Sequence, residues 1–97
     1  MLSLSQAKGE IRGFIFDAES GMPLLGANII VEGVENGAVS NENGFFEILN
    51  IKPKTYNLIV SYVGYQSKKI YNTEPFHSSS KKRRFGEKAT IVVLQSG

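Results

Sequence analysis

Histidine occurs once in this sequence, as His77, and cysteine does not occur at all. Those two counts remove most side-chain chemistry. A nucleophilic triad needs a base held by a third group, and a histidine or thiolate metal centre needs several such ligands converging. One histidine in a polar stretch provides neither, and His77 is read as a solvated loop residue. Hydrolysis by paired carboxylates would need two acids facing one another across a substrate. Asp17, Glu19, Glu32, Glu35, Glu42, Glu47, Glu74 and Glu87 are instead scattered over turns and strand edges. Asn41-x-Asn43-Gly44 opens like a calcium loop, but such a loop needs acidic ligands and a distal bidentate glutamate. Asn and Gly at this spacing are what a tight hairpin turn demands. No catalytic, metal-ligating or cofactor-binding residue is assigned, no cofactor is expected, and the chain is read as not an enzyme. Any activity then has to work through surfaces.

Two stretches are candidates for such surfaces. Lys81-Lys82-Arg83-Arg84 could contact anionic partners, although charge runs most often face solvent alone. Only Phe76 and Phe85 lie near it, too few aromatics to stack single-stranded nucleic acid, and no nucleic-acid partner is expected. Charge is unevenly spread: residues 1–71 hold six bases and seven acids, residues 72–97 five bases and two acids. The other candidate is Val63-Gly64-Tyr65, which follows a strand-like run at one end of the domain, where loops carry function. Tyr56, Tyr62, Tyr65 and Tyr71 are themselves read as core and sheet-edge packing. Partners are sought at that turn and at an open edge strand able to accept a partner strand.

The elements that hold these stretches are strands. In Tyr56–Val63 one face carries Tyr56, Leu58, Val60 and Tyr62, since side chains alternate across a strand. The opposite face mixes Ile59 and Val63 with Asn57 and Ser61, which suits a sheet packed on one side and half-wet on the other. Further strands are expected over Glu10–Asp17, Leu24–Gly33, Gly37–Asn41, Phe45–Leu49, Tyr65–Tyr71 and Ala89–Leu94. Along Glu10–Asp17, Ile11 and Ile15 share one face, Phe14 and Phe16 the other. Ala18–Pro23 breaks the first strand, and Asp17 can cap that turn. Asn41–Gly44 is expected to close a hairpin. Asn72–Lys88, with Pro75, three serines and the basic run, is read as a long loop. No helical periodicity and no repeat is visible, and no apolar run approaches the roughly 20 residues of a membrane-spanning helix. Seven short strands at close spacing imply an all-β sandwich. Its core must hold without disulfides, which about 65% burial at this chain length allows. One domain is expected over residues 9–95, including the loop 72–88. Residues 1–8 form a tail whose Ser5-Gln6-Ala7 is either the end of a signal peptide or part of a ragged N-terminus.

Several of these stretches carry a recognisable pattern: Gly13-x-Ile15-x-Asp17, Gly21-x-Pro23-Leu24-x-Gly26-Ala27-Asn28-Ile29-x-Val31, Gly37-x-x-Ser40-Asn41-x-x-Gly44-x-Phe46, and Tyr56-x-Leu58-x-Val60-Ser61-Tyr62-Val63-Gly64-Tyr65. In these the chain resembles the carboxypeptidase regulatory-like domain family over roughly residues 9–71. The resemblance implies a Greek-key, transthyretin-like (prealbumin-like) β-sandwich of seven strands. The Gly-Ala-Asn and Ser-Tyr-Val-Gly-Tyr pieces look most like the copy ahead of the plug and barrel of Bacteroidetes TonB-dependent outer-membrane receptors. That implies a non-catalytic accessory domain in the periplasm, within the cell envelope, with other domains of a longer polypeptide or envelope proteins as partners and membrane association only through the parent. Other family members imply two alternatives: an accessory folding domain of a zinc metallocarboxypeptidase, and a structural or carbohydrate-binding module of a surface adhesin. The sequence departs from the family where Ser40-Asn41 replaces Thr-Asp, where Pro53-Lys54 replaces Pro-Gly, and in the long basic segment 72–88. If Lys54 kept the left-handed backbone of the family's glycine, it would carry steric strain.

Overall fold

The structure is a computed structural model, and it describes residues 9–77 and 89–97. Its strands are β1 (Gly9–Asp17), β2 (Asn28–Val31), β3 (Gly37–Val39), β4 (Phe45–Ile51), β5 (Tyr56–Ser61), β6 (Lys68–Thr73), β7 (Phe76–His77) and β8 (Thr90–Leu94). Seven of these span three residues or more, and β7 is a two-residue pairing with the start of β1. One sheet runs β4-β1-β7, with β8 pairing β1 in parallel farther along; the other runs β3-β2-β5-β6. The two sheets face each other as an all-β sandwich.

The period of two decides what lies between them. Ile11 and Ile15 of β1, Phe46 and Ile48 of β4, and Val92 and Leu94 of β8 point inward from the first sheet. Ile29 and Val31 of β2 meet them with Tyr56, Leu58 and Val60 of β5, all within 5% of fully buried. The expected core face of β5 is therefore the real one, with Tyr62 packed half-buried against it. The opposite face, Asn57, Ile59 and Ser61, is half-exposed, as its composition requires. Gly13 occupies an inward position of β1 because the Phe46 ring crosses there. A Cβ at Gly13 would overlap the Thr90 carbonyl and stand 2.6 Å from that ring.

Several boundaries differ from the sequence reading. Leu24–Ala27 is a turn, and the strand expected from Leu24 starts at Asn28. Ser40 explains this: its hydroxyl accepts from the Ala27 N–H at 2.9 Å and donates to the Leu24 carbonyl at 2.6 Å, holding the turn in a non-extended shape. Asn41–Gly44 is a tight turn, but β3 and β4 belong to different sheets, so it forms a corner between sheets rather than a hairpin. Asn41 Oδ1 accepts from the N–H groups of Asn43 and Phe45 (2.9 and 3.0 Å), and the Gly44 carbonyl accepts from the Ile15 N–H at 2.8 Å. A hydroxyl and a neutral acceptor oxygen are what this corner uses, so Ser40-Asn41 serves where the family pattern has Thr-Asp.

The segment read as a loop from Asn72 begins as structure: Asn72 and Thr73 complete β6, and Phe76–His77 pairs with Gly9 and Glu10. Strands β4 and β6 each carry an extra residue near that end, where the register shifts against β1 and β5. The bulges contain Asn50 and Asn72, both with φ of +55°, and Asn is the non-glycine residue that best tolerates this conformation. Lys54 is not left-handed. Its turn has been rebuilt around Pro53, with the Lys54 N–H on the Lys52 carbonyl at 2.9 Å.

Candidate docking surface

Strand directions gather one set of loops at a single pole. β1 ends there at Asp17, β8 ends alongside it at Leu94, and β5 ends at Ser61 beside the start of β2. The turn that follows β5 is Tyr62-Val63-Gly64-Tyr65, closed by the Tyr65 N–H on the Tyr62 carbonyl at 3.0 Å. Gly64 has φ of +87°, the value a type II turn needs at its third residue, which is why glycine stands there. Val63 is carried at the apex and is 92% exposed. β5 stops at Ser61, so Val63 belongs to this turn and not to the strand as expected.

Tyr62 and Tyr65 flank the apex with ring centroids 5.3 Å apart and planes tilted by 55°. The Tyr65 hydroxyl interacts with the Asp17 carboxylate, and this holds the phenol above its ordinary range. Asp17 is held below the usual carboxylate range, first by the Ser20 N–H and hydroxyl (both 2.8 Å) and then by Tyr65. The capping role expected of Asp17 is thus real, and it is shared with a tyrosine 48 positions farther along the chain. The backbone edge of the turn is occupied. Gln66 N–H donates to the Gln95 carbonyl at 2.9 Å, Gly97 N–H to the Gly64 carbonyl at 3.0 Å, and Tyr65 bridges Ser96. Sequence reasoning missed this clamp, because Gln95-Ser96-Gly97 carries no alternation. Met22 and Leu25, both more than half exposed, lie on the neighbouring loop at this pole.

Val63, Gly64 and Tyr65 are therefore brought together, and what they offer a partner is side chains: an aliphatic apex between two tilted tyrosines. Lys81, Lys82, Arg83 and Arg84 lie outside the described residues. The backbone of His77 is in β7 rather than in a loop. Among the described residues no group of three or more His, Asp or Glu side chains could hold a metal ion. At the opposite pole a cleft of about 440 Å³ is lined by Glu10, Arg12, Ile70, Thr73 and Pro75, among others. Two of its charged residues are paired, with Arg12 Nη2 donating to Glu10 Oε2 at 2.7 Å, and Glu74 lines it as well.

A family model described as CarboxypepD_reg-like domain matches residues 11–93. The chain belongs to the CarboxypepD_reg-like family. Among curated proteins, the TonB-dependent receptor P39 of Formosa agariphila is 33% identical over 64 residues. That match takes in 66% of this chain and 6% of the receptor, so the CarboxypepD_reg-like domain spans a small fraction of its relative's length. Among solved structures, a chain in each of two crystal structures of a type II cohesin–X-dockerin complex from Acetivibrio cellulolyticus aligns with a TM-score of 0.70. One is a C-terminal and the other an N-terminal interface mutant. In both, identity is 19%, and the alignment covers 92% of this chain and 58% of the other. At that identity the likeness shows the β-sandwich fold alone. The CarboxypepD_reg-like domain is thus an accessory β-sandwich similar to a region of a TonB-dependent receptor.

Proposed function

We propose that this domain is the periplasmic N-terminal extension of a TonB-dependent nutrient-uptake receptor, has no turnover of its own, and acts by docking. The single observation that carries the reading is the 33% identity over 64 residues to a TonB-dependent receptor of which those residues are only 6%. A match of that kind supports reading the chain as one module of a longer envelope polypeptide. The surfaces available for docking are the pole around Val63, Gly64 and Tyr65, and the open strand edges. Docking partners are then other domains of the same polypeptide or proteins of the envelope.

An antibody raised against the domain tests this in fractionated cells of the source organism. The expected result is one outer-membrane band many times larger than the 97-residue chain, whose peptides include a plug and a barrel. A band confined to the cytosol, or one whose peptides belong to a zinc peptidase, would overturn the receptor assignment. The purified domain is also expected to show no release of product from peptide or glycoside substrates.

A further inference from the structure

The first long strand and the last lie side by side and run the same way. β1 and β8 pair in parallel from Gly13 beside Thr90 to Asp17 beside Leu94, and the Ala18 N–H on the Leu94 carbonyl at 2.9 Å carries the ladder one bond farther. Parallel neighbours need a crossover between them, and here the whole intervening chain supplies it. The polypeptide therefore enters β1 at Gly9 near one pole and leaves β8 at Leu94 at the other, about 26 Å apart along the strands at about 3.3 Å per residue. Both strands are fixed against sliding. β1 is held on its other side by β4, from Phe14 beside Phe45 to Gly9 beside Ile51. Ile11 and Ile15 of β1 and Val92 and Leu94 of β8 are all buried in the core, and a slip by one residue would turn such side chains to the wrong face. Past β8 the chain is latched again, by the Gln66 N–H on the Gln95 carbonyl and the Gly97 N–H on the Gly64 carbonyl, while Lys68 Nζ reaches the Val93 carbonyl at 3.3 Å.

We infer that the β1–β8 pair is a shear clamp, which keeps the domain folded when the polypeptide is pulled through its two ends. The inference rests on the reading of this domain as one module of a longer chain, since only then do both ends carry load. Tension between Gly9 and Leu94 drives β1 and β8 past one another along their common axis. Every bond of the ladder is loaded at once, and the ladder fails when the strands slip by one residue, about 3.3 Å. Pulled apart from a shared end, the same strands would release their bonds one after another. Freeing the five register pairs would then take roughly 33 Å of travel, because each pair yields a residue from both strands. Equal work done over a tenth of the distance means up to about ten times the force. A module clamped in this way passes a pull from one neighbour to the next without unravelling.

The test is single-molecule force spectroscopy on the full chain in two pulling geometries. The sequence has no cysteine, so introduced thiols fix the handles without ambiguity. In the first geometry the thiols are added ahead of Met1 and after Gly97, which shears β1 against β8. In the second they are Glu19→Cys and the thiol after Gly97, which peels the two strands from the pole they share. Glu19 is exposed, so this variant keeps the fold, and its thermal melt verifies that. At equal loading rate the first geometry is expected to unfold in a single step at a force at least about twofold higher than the second, forced unfolding being governed by the unfolding rate. A smaller ratio would overturn the inference, and so would release of residues 90–97 as a separate, earlier step at low force in the first geometry. The ratio is a property of this domain alone: it can fail while fractionation still finds a receptor, and hold where fractionation refutes one.

Discussion

Replacing Ser40 by alanine removes one oxygen atom from a place where two backbone groups depend on it. Ser40 is 2% exposed, and its hydroxyl serves the Ala27 N–H and the Leu24 carbonyl, in residues that are themselves buried. The Ser40 backbone is already engaged with the same turn, its N–H on the Ala27 carbonyl and its carbonyl on the Gly26 N–H. A buried group left unpaired costs about 1–3 kcal/mol, so two of them amount to roughly 2–4 kcal/mol after some relaxation. For a chain of this length total stability is about 5–15 kcal/mol, so Ser40→Ala removes a large part of it. The melting temperature should fall by roughly 10–25 °C, and the urea midpoint by roughly 1.5–3 M. The sequence lacks tryptophan, so far-UV circular dichroism and tyrosine fluorescence are the probes. Ser40→Thr keeps the hydroxyl and is expected to stay within about 1.5 kcal/mol of wild type, the added methyl being the only burden. If Ser40→Ala loses less than about 1 kcal/mol, the net worth of a single hydrogen bond, water has taken over both bonds and the corner is not held as argued.

Three further outcomes are expected. Gly13→Ala should cost at least about 1–3 kcal/mol, because the new methyl meets the Thr90 carbonyl and the Phe46 ring at once; a melt unchanged from wild type would show that the ring can move aside. Asn50→Ala should cost about 1 kcal/mol for placing a β-carbon in a left-handed bulge while Asn50→Gly is neutral or mildly stabilising, and Lys54→Gly, with ordinary backbone at Lys54, should cost about 0.4–1 kcal/mol. A urea series with these three variants in the reverse order would contradict the assigned dihedrals. The Asp17–Tyr65 link predicts two pH limits. Asp17 is depressed, so its contribution is present above the ordinary value of 3.8 and is lost as pH falls through its lower folded value. Tyr65 is raised, so its contribution is present below 10.0 and is lost as pH rises through its higher folded value. Both effects are small at an exposed site, and Tyr65→Phe should remove the alkaline one entirely in melts across pH, with one phenol fewer titrating late in ultraviolet absorbance.

The all-β fold and the core face of β5 were legible because alternation over Tyr56-x-Leu58-x-Val60 reports directly which side is buried. The bulges were not. Asn50 and Asn72 lie among strand residues, and nothing in an isolated Asn distinguishes a left-handed backbone from an exposed amide. The corner at Asn41–Gly44 was read as a hairpin because turn chemistry is the same whether the two arms stay in one sheet or part into two. What decides it is that β3 pairs with β2 and β4 with β1, long-range pairings that the turn residues do not encode. At the candidate site, the Val63-Gly64-Tyr65 turn was visible from its glycine. The clamp by residues 95–97 and the Asp17–Tyr65 link are long-range pairings that local pattern does not encode.

Where the chain departs from its family bears on where function lies. Ser40-Asn41 keeps a hydroxyl and an acceptor oxygen where Thr-Asp would stand, so the corner loses a charge and keeps its bonds. Pro53-Lys54 abandons the left-handed turn and restores support by other means: the Tyr56 hydroxyl donates to the Lys52 carbonyl at 2.8 Å, and Lys54 Nζ stands 5.8 Å over the Tyr56 ring. Both changes preserve the frame through different atoms. The surfaces are under no such constraint from folding. Val63 at 92% exposure and Ile91 at 58% bury little on folding, and a polar residue at either position would cost the isolated domain almost nothing. If the domain docks as proposed, Val63, held in water at the apex of a rigid turn, is a side chain that a partner could cover without any change in the frame. Val63→Asp should then impair docking and leave the melting of the isolated domain unchanged, whereas a variant that lowers the melting temperature would show that Val63 serves the fold.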